Sequence, residues 1–103
     1  MSDEDVLAGI IEEEACLTLE QLCGACALER EWLVRRVEEG LIPVAAGTVV
    51  AEWRFTSAGL ARARRMRELE RDFDAVPELA ALVADMLEEM DALRARLRRG
   101  GLA

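Results

Sequence analysis

Leu17-Thr18-Leu19-Glu20-Gln21-Leu22-Cys23 reads as a helix with its start signal attached. Thr18 is a good N-cap, and Gln21 stands three residues on, where its side chain can return to the cap backbone and close a capping box. Leu19, Leu22 and Cys23 then share one face. Cys23 is expected to be a small buried residue that lets a second helix approach closely. Ala27-Leu28 supplies the turn, and a second helix is predicted over Glu29 to Glu39, with Leu33 and Val37 inward and Trp32 and Val34 flanking them. Gly40 is a suitable C-terminal stop, and Leu41-Ile42-Pro43 leaves the helix. The pattern is a helix-turn-helix.

Downstream, Val44 to Ala51 is apolar and β-branched with Gly47 near its middle. It is predicted to be a short hairpin, or wing, ending at Trp53-Arg54-Phe55. In an extended segment Trp53 and Phe55 face one side and Arg54 the other. Thr56 or Ser57 caps a third helix, in which Leu60, Ala63, Met66, Leu69 and Phe73 keep a helical period. Arg62, Arg64, Arg65 and Arg67 supply its exposed side.

Pro77 fits the first turn of a last helix. Val76, Leu79, Val83, Met86, Met90, Leu93 and Leu97 are spaced alternately three and four apart, which is a heptad seam, and Leu82 and Leu87 widen it. From Pro77 to Arg99 the helix is roughly 35 Å long, more than one small domain can cover. The stripe could pack on the third helix within one chain. The preferred reading pairs at least its distal half with a second chain, as an antiparallel coiled coil or four-helix arrangement. Val83, Met86, Met90, Leu93 and Leu97 are the expected dimer seam. The expected organisation is therefore mainly α: an acidic N-terminal extension over 1–15, a winged helix-turn-helix with a small β wing over 16–73, a dimerisation or interaction helix over 74–99, and a tail over 100–103.

Composition narrows the function. The 103 residues carry a formal charge of −8, and His, Lys, Tyr and Asn are absent. Without His, no Ser-His-Asp or Cys-His nucleophile can be assembled, and the commonest metal ligand is missing. No Gly-rich phosphate loop appears. Adjacent carboxylates such as Glu38-Glu39 and Glu88-Glu89 point about 100° apart on a helix and make poor acid–base pairs. The chain is expected to be no enzyme and to need no cofactor. Cys23-Gly24-Ala25-Cys26, with Cys16 upstream, lacks a fourth ligand or a thioredoxin-type strand, so three reduced thiols are the simplest reading. No apolar run reaches the roughly 18 residues of a membrane span, and the acidic start is no signal peptide, which points to a cytoplasmic protein.

The charge is unevenly placed. Met1 to Glu20 holds seven acids and no base, Gln21 to Arg71 seven acids and nine Arg, and Asp72 to Ala103 seven acids and four Arg. A weakly basic middle lies between two acidic ends. Such a balance opposes nonspecific nucleic-acid binding and suits a basic protein partner.

Taken together, Leu17-Thr18-Leu19-x-x-Leu22-Cys23, Gly40-Leu41-Ile42, Trp53-Arg54-Phe55 and the Arg-rich helix resemble the winged helix-turn-helix of the MerR superfamily. From about Leu17 to Arg99 the order of features is closer still to a divergent branch, the chaperone modulatory protein CbpM family. The features include Glu20 to Cys23, Trp53 with Phe55, Arg67 to Glu70, Asp72 to Asp74, and Met86-Leu87-Glu88-Glu89. The resemblance implies a homodimer that binds the J-domain of a DnaJ-like co-chaperone of the CbpA type. It implies a block on that co-chaperone's stimulation of DnaK and an effect on its DNA binding. Asp85, Glu88, Glu89 and Asp91 are the candidate acidic surface for a basic J-domain helix, or else a solvated helix face. The alternative is a MerR-like DNA-binding regulator, with Arg30, Arg35, Arg36 and Arg54 on phosphates. Against it, the second helix sets four acids against three Arg. The bland reading of those arginines is pairing of Arg35 with Glu31 and Glu39.

Overall fold

The structure, a computed structural model, describes residues 17–101. The acidic extension over 1–15 and Cys16 lie outside the described residues. Six regular elements follow one another: β1 (Leu17–Thr18), α1 (Leu19–Cys26), α2 (Arg30–Glu38), β2 (Arg54–Phe55), α3 (Ser57–Phe73) and α4 (Pro77–Arg99), with a single 3-10 turn at Val50–Glu52.

The capping box forms as expected. Thr18 accepts from the Gln21 amide at 3.1 Å, and the Gln21 side chain accepts from the Thr18 amide at 2.9 Å. The turn between α1 and α2 is tight because Ala27 takes the left-handed conformation, with φ 55°, and Leu28 N–H bonds to the Cys23 carbonyl. A non-glycine residue holds that conformation at a cost of roughly 1–2 kcal/mol, which burial of Leu28 in the core offsets. Helix α2 stops at Gly40, with φ 80°. Leu41 N–H reaches the Arg36 carbonyl and Gly40 N–H the Val37 carbonyl, the two bonds of a Schellman motif.

The wing departs from a regular hairpin. Ala45 N–H bonds to the Arg54 carbonyl, and Arg54 N–H to the Ala46 carbonyl, each at 2.9 Å. Beyond that single bridge the chain turns at Gly47 and winds into the 3-10 turn. The other edge of β2 pairs antiparallel with β1, Leu17 opposite Phe55 and Thr18 opposite Arg54. The segment before α1 is thus recruited as a strand, a long-range pairing with no local signal. Trp53 and Phe55 both turn inward and meet edge to face, 6.4 Å between centroids at 87°.

The core joins Leu19, Leu22, Leu28, Trp32, Leu33, Ile42, Trp53, Phe55, Ala63 and Met66. Three positions differ from expectation. Trp32 is buried rather than flanking, Cys23 is only half-buried, and Phe73, which keeps the period of α3, is exposed at its end. Phe73 is the last residue of α3, which Asp74 ends in the left-handed conformation, so it has passed the end of the packed face.

Helix α4 docks on α3 through Ala80, Ala81 and Ala84, all buried. Small side chains let two helices approach closely, and the apolar contact they lose in size is regained in backbone proximity. The heptad seam therefore does not face α3. Val76, Leu79, Leu82, Met86, Met90, Leu93 and Leu97 are all exposed on the far side, with Val83 half-buried between the faces.

Candidate functional site

Two features of this architecture bear on function: how α2 is held against α3, and what α4 turns outward.

Arg36 lies at the α2–α3 contact and is only 6% exposed. Its Nε donates to Glu70 Oε2 at 2.9 Å, its Nη2 to Glu70 Oε1 at 3.1 Å, and its Nη1 to Glu39 at 3.1 Å. Trp32 Nε1 donates to the same Glu70 at 2.8 Å. The Arg36 guanidinium also stands 5.2 Å from the Trp32 ring centroid, with Arg67 at 5.9 Å. The planar fork of Arg matches the two carboxylate oxygens of Glu70, which is the favourable way to bury this charge. The Glu70 bonds hold Arg36 above its ordinary value despite burial. Burial pushes the Glu70 carboxyl up, but hydrogen bonds from Arg36 and Trp32 outweigh it and bring it below the usual range.

This network takes Arg36 out of the four arginines proposed for DNA. Arg54 is half-buried, and its Nη1 donates to the Trp53 carbonyl at 2.8 Å. Arg30 is exposed and lies 3.7 Å from Glu20. Arg35 is exposed and forms no ion pair among the described residues; the anticipated pairs with Glu31 and Glu39 do not form. On α2, Arg30 and Arg35 share a shallow surface with Val34, Glu31 and Glu38, so its outward face carries both signs.

On α4, three of the four proposed partner-binding acids turn back toward α3. Arg62 Nη1 donates to Asp85 at 2.7 Å and to Glu88 at 3.0 Å, while its Nε donates to the Leu41 carbonyl at 2.7 Å. Burial opposes the Arg62 charge, but the bonds to Glu88 and Asp85 outweigh it. Arg65 donates to Asp91 at 2.7 Å, and that hydrogen bond lowers the Asp91 carboxyl. Glu89 is exposed and has no ion-pair partner among the described residues. The residues expected to form a dimer seam share the opposite face: Met86, Met90, Leu93 and Leu97 are exposed and Val83 is half-buried.

Sequence reasoning quoted Glu70 only within a motif and gave it no role, and it assigned Arg62 and Arg65 only to an exposed side. Their side-chain partners lie 23 to 38 residues away in the chain, and no local pattern announces such pairs. Among the described residues Cys23 and Cys26 form no disulfide, and burial, the largest influence on each, pushes both thiols up. Among the described residues no group of three His, Cys, Asp or Glu side chains could hold a metal ion, and no helix is long and apolar enough to cross a membrane.

The model of the family described as MerR HTH family regulatory protein matches residues 17–99. The chaperone modulatory protein CbpM of Coxiella burnetii, in strains Dugway and Henzerling II, is 30% identical over 98 residues, covering 95% of this chain and 92% of the relative. The chain belongs to the MerR helix-turn-helix family as a CbpM-like member. No solved structure matches it. The CbpM match leaves at most five of the 103 residues uncovered, since 103 less 98 is 5, so it runs well into the acidic N-terminal segment. That segment, which has no place in the helix-turn-helix pattern, has a counterpart in the CbpM relatives.

Proposed function

We propose that the protein is a co-chaperone modulator, which binds the J-domain of a DnaJ-like partner of the CbpA type and keeps it from stimulating its chaperone. The single observation that carries this is the near full-length likeness to chaperone modulatory proteins. The surface agrees with it. Residues 72–93 hold seven acids and no base, and the exposed apolar stripe of α4 runs through them. J-domains present a basic helix, so an acidic competitor gains in both encounter rate and orientation. The protein acts in the cytoplasm as a homodimer, with Val83, Met86, Met90, Leu93 and Leu97 as the seam. A face of this length that is apolar and exposed in one chain is what an intermolecular helix pair requires. No catalytic step is part of this function.

A second reading, sequence-specific DNA binding, is favoured by the family and by the exposed Arg30 and Arg35 on α2. It is weakened by the capture of Arg36 and by Glu31 and Glu38 on the same face.

Calorimetry of the full chain against a CbpA-type J-domain is the test. Binding is expected at micromolar affinity or tighter, weakening as salt rises. No heat and no complex would overturn the reading. A gel shift with duplex DNA at low salt separates the alternative, which requires a specific shift by this chain alone.

A further inference from the structure

We propose that the basic helix of the partner docks on the proximal end of α4, against Phe73, Val76, Leu79 and Leu82, with Asp74 and Glu78 at its rim. The proposal rests on the J-domain reading above and gives it a footprint different from the acids that sequence reasoning selected.

Three observations lead there. First, Asp85, Glu88 and Asp91 already serve Arg62 and Arg65, so a cation reaching them meets carboxylates whose charge a guanidinium already offsets. Asp74, Glu78 and Glu89 are exposed and form no ion pair among the described residues. They are the carboxylates of this stretch that a partner can engage without breaking a contact.

Second, the apolar stripe extends beyond the seam. Phe73 is 74% exposed, Val76 58%, and Leu79 and Leu82 about half. A large aromatic left this open at the α3–α4 link is not needed by the fold, since the helices dock through alanines. Exposed apolar groups gathered at one end of an element mark a contact surface. Leu79, Leu82 and Met86 follow at three and four residues along α4, so the patch continues into the seam as one surface.

Third, charge divides the helix. Between Asp72 and Leu93 there is no base, whereas Arg94, Arg96, Arg98 and Arg99 crowd the last turns. A basic amphipathic helix is repelled by the distal end and attracted by the proximal one. The distal seam is left to the second copy.

The test titrates full-length protein with two probes: a CbpA-type J-domain, and a synthetic 20-residue Lys/Leu amphipathic helix. Wild type is compared with Glu78→Lys/Leu82→Ser, with Phe73→Ser, and with Asp85→Asn/Glu88→Gln. The first two change exposed side chains and should leave helicity and sedimentation as in wild type. They are expected to weaken J-domain binding roughly tenfold or more, and the third to change it less than about threefold. If the J-domain binds wild type and both proximal variants equally, the footprint is wrong and the modulator reading stands. If the J-domain fails to bind while the peptide binds and responds to the proximal variants, the surface stands and the J-domain reading falls. If neither probe binds, both fall. Should Glu78→Lys/Leu82→Ser fold poorly, Phe73→Ser alone decides, because that side chain takes no part in the core.

Discussion

Replacing Glu70 by Ala removes the acceptor of three hydrogen bonds at once, from Arg36 Nε, Arg36 Nη2 and Trp32 Nε1. The side chains of Arg36 and Glu70 are 8% and 10% exposed, so the guanidinium cannot recover its hydration where it stands. Breaking a buried pair in this way costs about 3–5 kcal/mol. Glu39, 3.1 Å from Arg36 and 38% exposed, remains to hold part of the charge and sets the expectation at the lower end. A loss of about 3 kcal/mol is therefore expected, equivalent to roughly a hundredfold in the folding equilibrium. For a domain of this size it lowers Tm by about 12–20 °C. Urea unfolding at fixed chain concentration measures it, because any association of chains makes apparent stability depend on concentration. A cycle with Arg36→Met isolates the pair. Once both charges are gone the second substitution has little left to break, so a coupling of about 2 kcal/mol or more is expected. A loss below about 1 kcal/mol for Glu70→Ala, or a coupling near zero, would show that Arg36 and Glu70 do not clamp α2 to α3.

Three further outcomes are expected. Glu70 titrates lower in the folded chain than in the unfolded one. Its contribution is thus complete above the unfolded value of about 4.3 and is lost as pH falls through the folded value; urea midpoints between about pH 5 and 3 should fall more steeply for wild type than for Glu70→Gln. Gly47→Ala places a Cβ against the Glu52 backbone at φ 98°; a loss of about 2 kcal/mol in thermal melts is expected, and an unchanged melt would mean the wing turn is not under this constraint. Met90→Glu with Leu93→Glu should give monomers in sedimentation with helicity retained, since both side chains are exposed in one chain; a dimer that survives excludes the seam.

Much of the fold was legible locally. Thr18 and Gln21 announce the start of α1, Gly40 the end of α2, Thr56 the start of α3 and Pro77 the start of α4. Each signal acts through backbone groups within a few residues, so sequence neighbours suffice to read it. The wing was legible only as an apolar run. Its pairing depends on Leu17 and Phe55, which the chain brings together from 38 residues apart. The candidate site was the least legible. Asp85, Glu88 and Asp91 are acids on an exposed helix in sequence, and nothing near them shows that Arg62 and Arg65 are aimed at them.

By itself the sequence determined the element order, the helix-turn-helix pattern, the acidic ends and an apolar stripe too long for one small domain, because periodicity and capping are local. Tertiary structure decided which side of α4 is buried. The stripe of large residues and the row of alanines share one helix, and both are apolar. Close approach to α3 selected Ala80, Ala81 and Ala84 and left Leu79, Leu82, Met86 and Met90 outside. It also decided which charges are free, since an ion pair is a matter of distance through space, and that distance turned Arg36 from a phosphate contact into a buried clamp.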